Sequence, residues 1–457
     1  MDPSSVRGVR ATPAVHMVVG IVLSALSGCA SWFRPSEPEK VTTVIAVATE
    51  GDLEAGAAAV DISPDKAGLK MGGYRVGRDS TGNHDPLFAR ALVLKRGDHE
   101  QILVAVDLVG LFRPFIRETL AEIPGLPIDQ VIVASTHDHS SPDSMGIWGH
   151  PPFSSGLDEA FMKKVRRGIV QSIRDARERV APAEIGYATT AVDPNDFIKN
   201  VNRKNLVDPE STVIHVRARG PGANNGATIA TLVELGCHPE VVPEDNTLVS
   251  ADFPGYCVRA LEREFGGVGI YVSGDLGALV SPVRHRKPEN PDWCWDEARR
   301  IGERLAGYAS EAVKTIREYE SAPRLAAYRS PIFLDNSNFY FHVMEFTGIL
   351  DRPIYGSGYI ESEVNLWEIG KLRIATLPGE LSPDLGMRIR KVCGHPAMIL
   401  GLANDELGYL FPSYDFDLAL YDYERTLSVG KYAADRLLRW IEDLVNYANF
   451  SQQIHDR

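Results

Sequence analysis

The chain has 457 residues, of which 44% are hydrophobic and 24% charged, and its formal net charge at pH 7 is −13. This acidic balance argues against a nucleic-acid partner, because binding to phosphates requires a basic face. The hydrophobic content is that of a globular protein. Beyond the N-terminal region, no stretch approaches the ~20 apolar residues that a membrane-spanning helix needs.

The N-terminus predicts export. Arg7 and Arg10 precede an apolar run over residues 14–26, which is short for a membrane span but suits the apolar region of a secretory signal. The run closes on Leu26-Ser27-Gly28-Cys29, which resembles the lipobox of bacterial lipoproteins, in which the cysteine receives the lipid. We therefore expect residues 1–29 to be a lipoprotein signal peptide and Cys29 to be the lipid-attachment site. A plain signal peptide or a buried helix is the alternative.

This interpretation implies a location in the cell envelope. The protein would be exported and held at a membrane by its N-terminal lipid, in the outer membrane if the bacterium is Gram-negative, since Ala30 rather than an aspartate follows the cysteine. Residues 30–52 carry Pro, Ser, Glu and Lys with little apolar pattern and are expected to form a flexible tether. The folded body is expected to be one large domain over residues 53–457.

Short apolar runs alternate with helical patterns through this body. The runs expected to be strands cover residues 87–95, 101–108, 130–135, 212–216, 229–235, 269–273, 374–377 and 398–402. Apolar residues at helical spacing mark residues 157–179, 254–265, 292–320, 383–392 and 431–447. Strands that alternate with helices predict an α/β fold built on a mixed β-sheet that helices sandwich or flank. A Pro-, Asp- and Asn-rich stretch at 286–292 is expected to be a long loop.

Four cysteines follow Cys29, namely Cys237, Cys257, Cys294 and Cys393. They are widely spaced and follow no small-scaffold framework, so buried thiols are at least as plausible as disulfides even in an exported protein. Cys237 stands next to a histidine, but adjacent side chains of a strand point to opposite faces. This position therefore favours a buried, inert thiol.

Groups that can bind a metal lie just beyond four of the predicted strands. In chain order these groups are His137 and His139, His238, Glu380 and Tyr409. In open α/β sheets reactive groups gather beyond the carboxyl ends of the strands, and imidazole and carboxylate are ligands that zinc accepts. Each signal is weak on its own, because a lone histidine at a strand end is more often part of a structural hydrogen bond.

Eight short motifs follow one another through the body. In chain order they are Ala57-Ala58-Ala59-Val60-Asp61-Ile62-Ser63-Pro64, Met71-Gly72-Gly73-Tyr74, His84-Asp85-Pro86-Leu87, Thr136-His137-Asp138-His139-Ser140-Ser141-Pro142, Asn200-Val201-Asn202-Arg203, Leu377-Pro378-Gly379-Glu380, Gly401-Leu402-Ala403-Asn404 and Tyr423-Glu424. This ordered set resembles the N-terminal catalytic domain of the neutral/alkaline (non-lysosomal) ceramidase family. The resemblance covers nearly the whole folded body. The ordered set of motifs is specific to the family, whereas no single motif is.

The resemblance implies a zinc-dependent hydrolase that cleaves an N-acyl amide bond, most directly that of ceramide or a related lipid amide. One zinc ion would be held by His137, His238, Glu380 and Tyr409. Asp405 and Glu406 could compete with Tyr409 as ligands, because phenolate is an uncommon zinc ligand. The chemistry expected of such a metal is activation of a water molecule for attack on the amide carbonyl.

Further roles follow from the same resemblance. His139 would lie beside the metal, where it would stabilise the oxyanion or pass a proton to the leaving amine. Arg203 and Tyr423 would position the substrate's carbonyl and neighbouring polar groups. Asp107 and Asp138 are candidates for fixing imidazole tautomers, with a plain structural role as the alternative.

The sequence departs from the family pattern at several points. Asp138 and Ser141 stand where the histidine motif of the family has threonine and glycine, which could alter what binds beside the metal, and two larger differences follow. The family's Asn-x-Gly-Asp-Val-Ser-Pro stretch, whose serine is a candidate nucleophile, is here Ser273-Gly274-Asp275-Leu276-Gly277-Ala278-Leu279-Val280-Ser281-Pro282. Ser281 is the best match, but no base adjoins it in sequence, so we expect a supporting role for it. The chain also ends soon after the catalytic motifs, so the family's C-terminal β-sandwich is expected to be absent.

Three hypotheses of function follow. The first is hydrolysis of ceramide or a similar lipid amide, with a membrane reached through the N-terminal lipid. The second is a metallohydrolase of the same fold that acts on another cell-envelope amide or ester, and the third is a surface-anchored binding protein with a structural metal. A long apolar channel near Arg203 and Tyr423 would favour the first over the second. A fully coordinated metal would favour the third.

Overall fold

The computed structural model describes residues 44–48, 50–150, 154–220, 225–285, 290, 292–350, 352 and 358–455. The predicted signal peptide, Cys29, most of the predicted tether and most of the predicted loop at 286–292 lie outside the described residues. No helix in these ranges is both long enough and apolar enough to span a membrane.

The strands, numbered in chain order, are β1 (Val44–Ala48), β2 (Leu53–Asp61), β3 (Gly82–Asn83), β4 (Phe88–Arg96), β5 (His99–Val106), β6 (Val131–Ser135), β7 (Ala181–Ala191), β8 (Ile198–Asn200), β9 (Glu210–Ala218), β10 (Thr228–Leu235), β11 (Leu248–Val249), β12 (Val268–Ser273), β13 (Val280–Pro282), β14 (Leu325–Asp335), β15 (Tyr359–Ile369), β16 (Leu372–Thr376), β17 (Glu380–Leu381), β18 (Ala397–Leu400) and β19 (Tyr409–Leu410).

The helices are α1 (Arg113–Ala121), α2 (Glu159–Glu178), α3 (Asp252–Phe265), α4 (Trp293–Thr315), α5 (Phe339–Phe346), α6 (Pro383–Cys393), α7 (Asp422–Thr426) and α8 (Ala433–His455). Short 3₁₀ helices cover Ile128–Gln130 and Ala419–Tyr421. Helix α2 begins two residues after its predicted start at 157, because the Asp158 side chain accepts a hydrogen bond from the backbone N–H of Phe161 at 2.9 Å and caps the first turn.

Two large sheets carry the fold. One has eight strands in the order β12-β10-β9-β7-β2-β4-β5-β6, and the other has five in the order β1-β14-β15-β16-β18. Most neighbouring pairs are antiparallel, but β5 with β6, β10 with β12, and β16 with β18 run parallel. The prediction of an α/β fold with helices flanking a mixed sheet is confirmed, and the strands divide between two sheets rather than forming one.

The two sheets face each other across a shared hydrophobic core. Leu103, Ile132 and Leu232 from the eight-stranded sheet belong to the same buried cluster as Trp367 and Ile374 from the five-stranded sheet. On the outer faces, α1 and α2 cover one half of the eight-stranded sheet and α3 and α4 the other half. Helices α6 and α8 cover the five-stranded sheet. The four layers are therefore helices, sheet, sheet and helices, and together they form one domain.

The carboxyl ends of the parallel strands meet at one place. The Ser273 hydroxyl, at the end of β12, donates to the carbonyl of Thr136 just beyond β6 at 2.8 Å. The backbone N–H of Gly401, just beyond β18, donates to the carbonyl of Ser273 at 3.0 Å. These contacts bring the segments that follow strands of both sheets side by side, and this is where the candidate ligands lie.

Some elements had no signal strong enough to predict them. The strands β7, β14 and β15 were not predicted, and α8 runs further toward the C-terminus than its predicted span of 431–447. The four cysteines after Cys29 are all free and buried, which resolves the alternative between thiols and disulfides in favour of thiols.

Candidate active site

Three buried histidines form the centre of the site. The ligand atoms of His137, His139 and His238 all lie within 4.8 Å of one another, in an arrangement that could hold a metal ion. The Nε2 atoms of His137 and His139 are 3.2 Å apart. Glu380 adds a carboxylate, with Oε2 at 3.0 Å from Nε2 of His238 and 3.4 Å from Nε2 of His137.

Backbone carbonyls fix the orientation of two of these rings. Nδ1 of His137 donates to the carbonyl of Val109 at 2.7 Å, and Nδ1 of His238 donates to the carbonyl of Val280 at 3.0 Å. Because Nδ1 is bonded to a carbonyl, Nε2 of each ring is directed to the centre of the cluster. A histidine that binds a metal through one ring nitrogen usually donates the N–H of the other nitrogen to a carbonyl or a carboxylate.

The two aspartates expected near the imidazoles are bonded elsewhere. Asp107 accepts from the backbone N–H of Phe88 and Asp138 from that of Ser140, both at 2.9 Å. Burial raises the pKa of Asp107 to about 6, and it raises that of Asp138 well above its ordinary value. The structure therefore supports the structural alternative for both, since carbonyl groups fix the tautomers instead.

His139 differs from the other two histidines. Its Nδ1 is buried and has no hydrogen-bond partner within the described part of the chain. Burial, then the neighbouring His137 and His238, lower the pKa of His139 well below its ordinary value, so the ring is neutral. The Tyr74 ring meets it edge-on with centroids 4.9 Å apart, while the Tyr74 hydroxyl donates to the carbonyl of Val242 at 2.6 Å.

Glu380 and Tyr409 reach the site as a pair. They are directly opposite residues of the short parallel strands β17 and β19. Burial acts to raise the pKa of Glu380, but His137 and then His238 outweigh it and hold that pKa well below its ordinary value. Burial and then the Glu380 charge raise the pKa of Tyr409 well above its ordinary value. Tyr409 is thus a neutral phenol unless a cation lies beside it.

The donor set fits a zinc ion. Zinc–nitrogen bonds of roughly 2 Å place neighbouring donors of a tetrahedral site about 3.3 Å apart. Oε2 of Glu380 lies 3.0 Å from Nε2 of His238 and 3.4 Å from Nε2 of His137, which matches that spacing. Loss of the Nε2 protons would leave the two imidazoles and the Glu380 carboxylate in the states that metal binding requires.

A cavity of about 440 Å³ opens onto this cluster. His137, His139, Glu380, Glu406, Tyr409 and Tyr423 contribute polar groups to its lining. Much of the remaining wall is apolar and comes from Val76, Val109, Phe112, Met145, Ile147, Trp148, Phe341, Met344, Leu350, Ile360 and Leu427. Several of these residues form a separate hydrophobic cluster of their own. The cavity therefore joins a polar floor to an apolar wall.

Comparison with known proteins agrees with this geometry. Residues 53–278 match the family model described as "Neutral/alkaline non-lysosomal ceramidase, N-terminal". A protein of Mycobacterium tuberculosis (strain ATCC 25618 / H37Rv) named neutral ceramidase is 26% identical over 289 residues, which cover 55% of this chain and 44% of that protein. The chain thus spans less than half the length of this curated relative.

The chain belongs to the neutral/alkaline non-lysosomal ceramidase family. Two solved structures share its fold: neutral ceramidase from Pseudomonas aeruginosa, with a TM-score of 0.72, and a structure titled "Ceramidase complexed with C2", with a TM-score of 0.71. Each is 19% identical in sequence and aligns with 87% of this chain, covering 74% and 75% of its own chain, respectively. The ceramidase resemblance expected from the ordered motifs is therefore confirmed at the level of family and fold.

Two residues expected in this site lie outside the cavity lining. Nη2 of Arg203 donates to Oδ1 of Asp415 at 2.7 Å, and its guanidinium lies over the Tyr421 ring. The Ser281 hydroxyl, in β13, donates to the carboxylate of Glu240. This carboxylate is the basic partner that the sequence around Ser281 did not reveal, but neither group is among those that line the cavity.

The Gly401-Leu402-Ala403-Asn404 motif connects the two halves of the site. Oδ1 of Asn404 accepts from the backbone N–H of Val133 at 2.7 Å, and its Nδ2 donates to Oε1 of Glu363 at 2.8 Å. Val133 lies in β6, which leads to His137, and the chain beyond Asn404 leads to Tyr409. Asn404 therefore fixes the distance between a histidine from one sheet and the segment that follows the other.

Several residues that shape this site could not be predicted from the sequence. The apolar wall comes from three distant segments, around Phe112, around Met145 and around Met344, and no local pattern connects them. Asp405, considered as a ligand from sequence, is instead engaged by Arg352 at 2.8 and 2.9 Å and by the Ser362 hydroxyl at 2.7 Å.

Proposed function

We propose that this protein is a zinc-dependent amidohydrolase that cleaves an N-acyl amide bond, with ceramide or a related lipid amide as its substrate. The proposal rests on one observation: the cluster of histidines and Glu380 borders a cavity whose wall is largely apolar. The family match and the name of the mycobacterial relative support the amide-lipid substrate class.

The proposed zinc ligands are His137, His238, Glu380 and Tyr409. The first three have donor atoms within 3.4 Å of at least one other donor, and the two histidines have their tautomers fixed by carbonyls. Tyr409 lies beside Glu380 and lines the same cavity. A zinc ion there would supply Lewis-acid activation of a water molecule and of the amide carbonyl.

We assign proton transfer to His139. Its Nδ1 has no partner in the described ranges, so this ring is not locked in one tautomer as its two neighbours are. A neutral imidazole at the cavity wall can hydrogen bond the carbonyl oxygen of the substrate or deliver a proton to the leaving nitrogen. This difference from His137 and His238 is the reason for assigning His139 to catalysis rather than to metal binding.

The remaining sequence candidates have positioning or supporting roles in this proposal. Tyr423 is half-exposed and lines the cavity, where its hydroxyl can orient polar groups of the substrate beside the amide. Arg203 fixes Asp415 and packs on Tyr421, so we assign it to holding the segment that carries Tyr423. Ser281 binds Glu240, two residues beyond His238, and is assigned to support of that loop.

The character of the wall favours a lipid over a polar cell-envelope substrate. Phe112, Met145, Met344 and Leu350 are all buried and form one apolar cluster beside the polar floor. Burial of an acyl or sphingoid chain against such a wall contributes roughly 0.8 kcal/mol per CH₂ group. A polar substrate would lose hydrogen bonds to water there without replacement.

We also propose that the protein is lipid-anchored through Cys29 at the surface of the cell envelope. The proposal rests on the sequence Leu26-Ser27-Gly28-Cys29 and on the apolar run that precedes it. A lipid anchor would keep the active site close to amphiphilic substrates at high effective concentration. The Cys29→Ser variant should retain hydrolysis but leave the membrane fraction, and a variant that still sediments with membranes would overturn the anchor.

The ligand assignment is tested by metal content. The His137→Ala and Glu380→Ala variants are expected to lose both bound zinc and turnover, as measured by elemental analysis of the purified proteins and by release of fatty acid from N-acylsphingosine. Normal zinc content in both variants would overturn the assignment. Asp107→Asn, a change at a buried carboxylate that does not face the cluster, is the matched control and should keep its zinc.

A further inference from the structure

Helix α5 is apolar around most of its circumference, although one side of it faces solvent. Six of its eight residues are apolar or aromatic. Phe341 and Met344 line the cavity on one side. Phe339 and Phe346 lie seven residues apart, and so on one face, and are 45% and 88% exposed on the other side. A helix that is apolar on all sides is normally covered on all sides, so the outer face of α5 is expected to have a partner.

The exposed face continues to the mouth of the cavity. Tyr340 and Tyr423 both line the cavity and are both exposed, so they mark its mouth. The Asn338 side chain, at the N-terminus of α5, donates to the carbonyls of Thr426 and Ser428, each at 2.9 Å. These contacts hold the helix against the segment that follows Tyr423. The four exposed side chains, together called the aromatic rim, are those of Phe339, Tyr340, Phe346 and Tyr423.

The N-terminal chain enters the fold at the same end of the molecule. Strand β1 is antiparallel to β14, with Val44 opposite Arg329, and β14 runs on from there to Asp335, just before α5. Val44 therefore lies about 20 Å from the end of β14 that leads into α5, and the chain runs into β1 from that end of the sheet. Cys29 precedes Val44 by 15 residues, which span roughly 50 Å when extended. The proposed lipid anchor can thus lie in a membrane beside the aromatic rim.

We propose that the aromatic rim docks on the surface of a lipid bilayer, with Phe339 and Phe346 inserted at the edge of the acyl chains and the two tyrosines at the level of the headgroups. Tyrosine is enriched where a protein meets a membrane, because it has an apolar ring and a polar hydroxyl. Phenylalanine supplies the apolar face of helices that lie in the membrane interface. Docking in this way turns the mouth of the cavity onto the bilayer.

Two features favour a bilayer over a second protein. A protein bound to the rim would cover Tyr340 and Tyr423 at the mouth of the cavity, whereas a bilayer leaves the mouth open to lipids. The chain that follows Cys29 also enters the fold at the end where the rim lies, so the anchor and the rim can reach one surface. The inference goes beyond the proposed hydrolysis, and it draws on the proposed anchor for the second feature alone.

Apolar insertion rather than charge would hold the rim at the bilayer. The formal net charge of the chain is −13, which does not favour attraction to anionic lipids. Two phenylalanine rings bury less apolar surface than the acyl chains of a lipid anchor, so their contact with the bilayer is weak and reversible. The rim therefore orients a protein that the N-terminal lipid retains at the membrane.

The test places a polarity-sensitive fluorophore on the rim of the full-length lipoprotein. Phe346→Cys is labelled on its thiol, because the four cysteines that follow Cys29 are buried. Wild-type protein treated with the same reagent gives the background. The protein is bound to vesicles of phosphatidylethanolamine and phosphatidylcholine in which some lipids carry a nitroxide on the acyl chain. The label at residue 346 is expected to shift its emission to shorter wavelength and to lose most of its fluorescence to the nitroxide.

Phe450→Cys is the matched control. Phe450 is 63% exposed on α8, and its neighbour Asn449 accepts a hydrogen bond from Arg373, near the start of β16. That end of β16 pairs with the far end of β15, about 30 Å along the sheet from α5. The label at residue 450 should keep its fluorescence in the same vesicles. Equal quenching of the two labels, or no quenching at residue 346, would overturn the inference.

Other occupants of the rim would give different results. Short-wavelength emission at residue 346 that needs no vesicles and that grows with protein concentration would show that a second copy covers the rim. The same emission at every concentration would show that a segment of this chain covers it, and either result overturns the inference. Raising the salt concentration should leave the quenching unchanged, because salt screens charges and not apolar contacts. Loss of quenching in salt would contradict apolar insertion.

These measurements require no turnover, so they separate the docking surface from the proposed function. Quenching at residue 346 but not at residue 450, in a protein that cleaves no amide, would support the docking surface and contradict the amidase assignment. Hydrolysis of ceramide in vesicles without that quenching would support the assignment and overturn the docking surface. If Cys29 carries no lipid, the same labelled proteins are mixed with an excess of the vesicles, and the same two results decide the inference.

Discussion

Gly73 lies directly against the imidazole of His139. A Cβ atom at residue 73 would come within 2.5 Å of Cγ of that ring, and the residue has a positive φ of 71°. The Gly-Gly-Tyr turn therefore supports one side of the histidine, while the Tyr74 ring contacts another at a centroid distance of 4.9 Å. The placement of the proposed proton-transfer group depends on a residue without a side chain.

Gly73→Ala is expected to lower kcat by roughly 100-fold, because the methyl group displaces His139 and small displacements of a catalytic group have effects of that size. Gly77→Ala is the matched control. Gly77 has a similar φ of 85°, but no atom lies within 4 Å of its added Cβ. Both variants should carry the same backbone strain of about 1–2 kcal/mol. Steady-state kinetics of the two variants compared with their thermal unfolding would show whether only the first loses activity, and equal activities would contradict this account of Gly73.

His139→Ala should keep zinc and lose at least ~100-fold in kcat, the usual contribution of a general acid or base. The reason is that His137 and His238 have Nδ1 fixed by carbonyls, as metal ligands generally do, whereas Nδ1 of His139 has no partner in the described ranges. Elemental analysis and turnover are measured on the same preparation. Loss of zinc from this variant would make His139 a ligand, and an unchanged rate would remove it from the mechanism.

The apolar wall should determine the preference for long chains. Met344→Gln places an amide in the wall cluster, where it cannot replace its hydrogen bonds to water, so kcat/KM for a long-chain amide should fall by about tenfold. A short-chain amide should be affected less. Met162→Gln makes the same chemical change in α2, at a partly buried residue that packs against a core cluster and is not among those lining the cavity, and should leave the ratio of the two substrates unaltered. Equal losses for both chain lengths in Met344→Gln would contradict the assignment of the wall.

Stability should fall in acid because of one buried carboxylate. Burial acts to raise the pKa of Glu363, but the charge of Arg329 and its hydrogen bond outweigh it and lower that pKa from 4.5 to about 2. A depressed pKa in the folded state stabilises the protein above pH ~4.5, and this stabilisation is lost as the pH falls toward 2. At pH 7 it amounts to about 3 kcal/mol at most.

Glu363→Gln should remove most of that stabilisation at pH 7 and flatten the loss of stability between pH 5 and 3, as measured by urea denaturation at each pH. It should also weaken the Asn404 contact that links the two halves of the site. The exposed pair of Arg263 with Glu303 provides the control, since Glu303→Gln should change stability by less than about 1 kcal/mol. Identical pH profiles for the wild type and Glu363→Gln would rule out this source of acid sensitivity.

The residues of the site are easier to predict from the sequence than the arrangement of the two sheets around it. His137, His139, His238 and Glu380 each follow an apolar run, and the rule that reactive groups gather beyond the carboxyl ends of strands brings them together correctly. The division of the strands between two sheets has little local signal: β15 and β16 form a hairpin, but β1 pairs with β14, a strand far away in the chain. The supporting contacts of Val109 and Val280 are equally hidden, since any residue can offer a backbone carbonyl.

Residues whose role depends on a distant partner are those for which sequence reasoning was least informative. Arg203 is bonded to Asp415 and Ser281 to Glu240, and neither partner adjoins it in the chain. Glu406 could be considered a ligand from its position near Tyr409, but its unpaired oxygen in the cavity lining becomes visible only once the strands are folded.

The most direct test of the central claim is hydrolysis of a short-chain fluorescent N-acylsphingosine by the purified protein, before and after removal of zinc with a chelator. The account predicts release of the fatty acid by the zinc-loaded protein, loss of that release on chelation, and its return when zinc is added back. Release that persists in the metal-free protein would contradict the role of zinc. No release from a folded, zinc-loaded protein would contradict the assignment as an amidohydrolase of ceramide-like lipids.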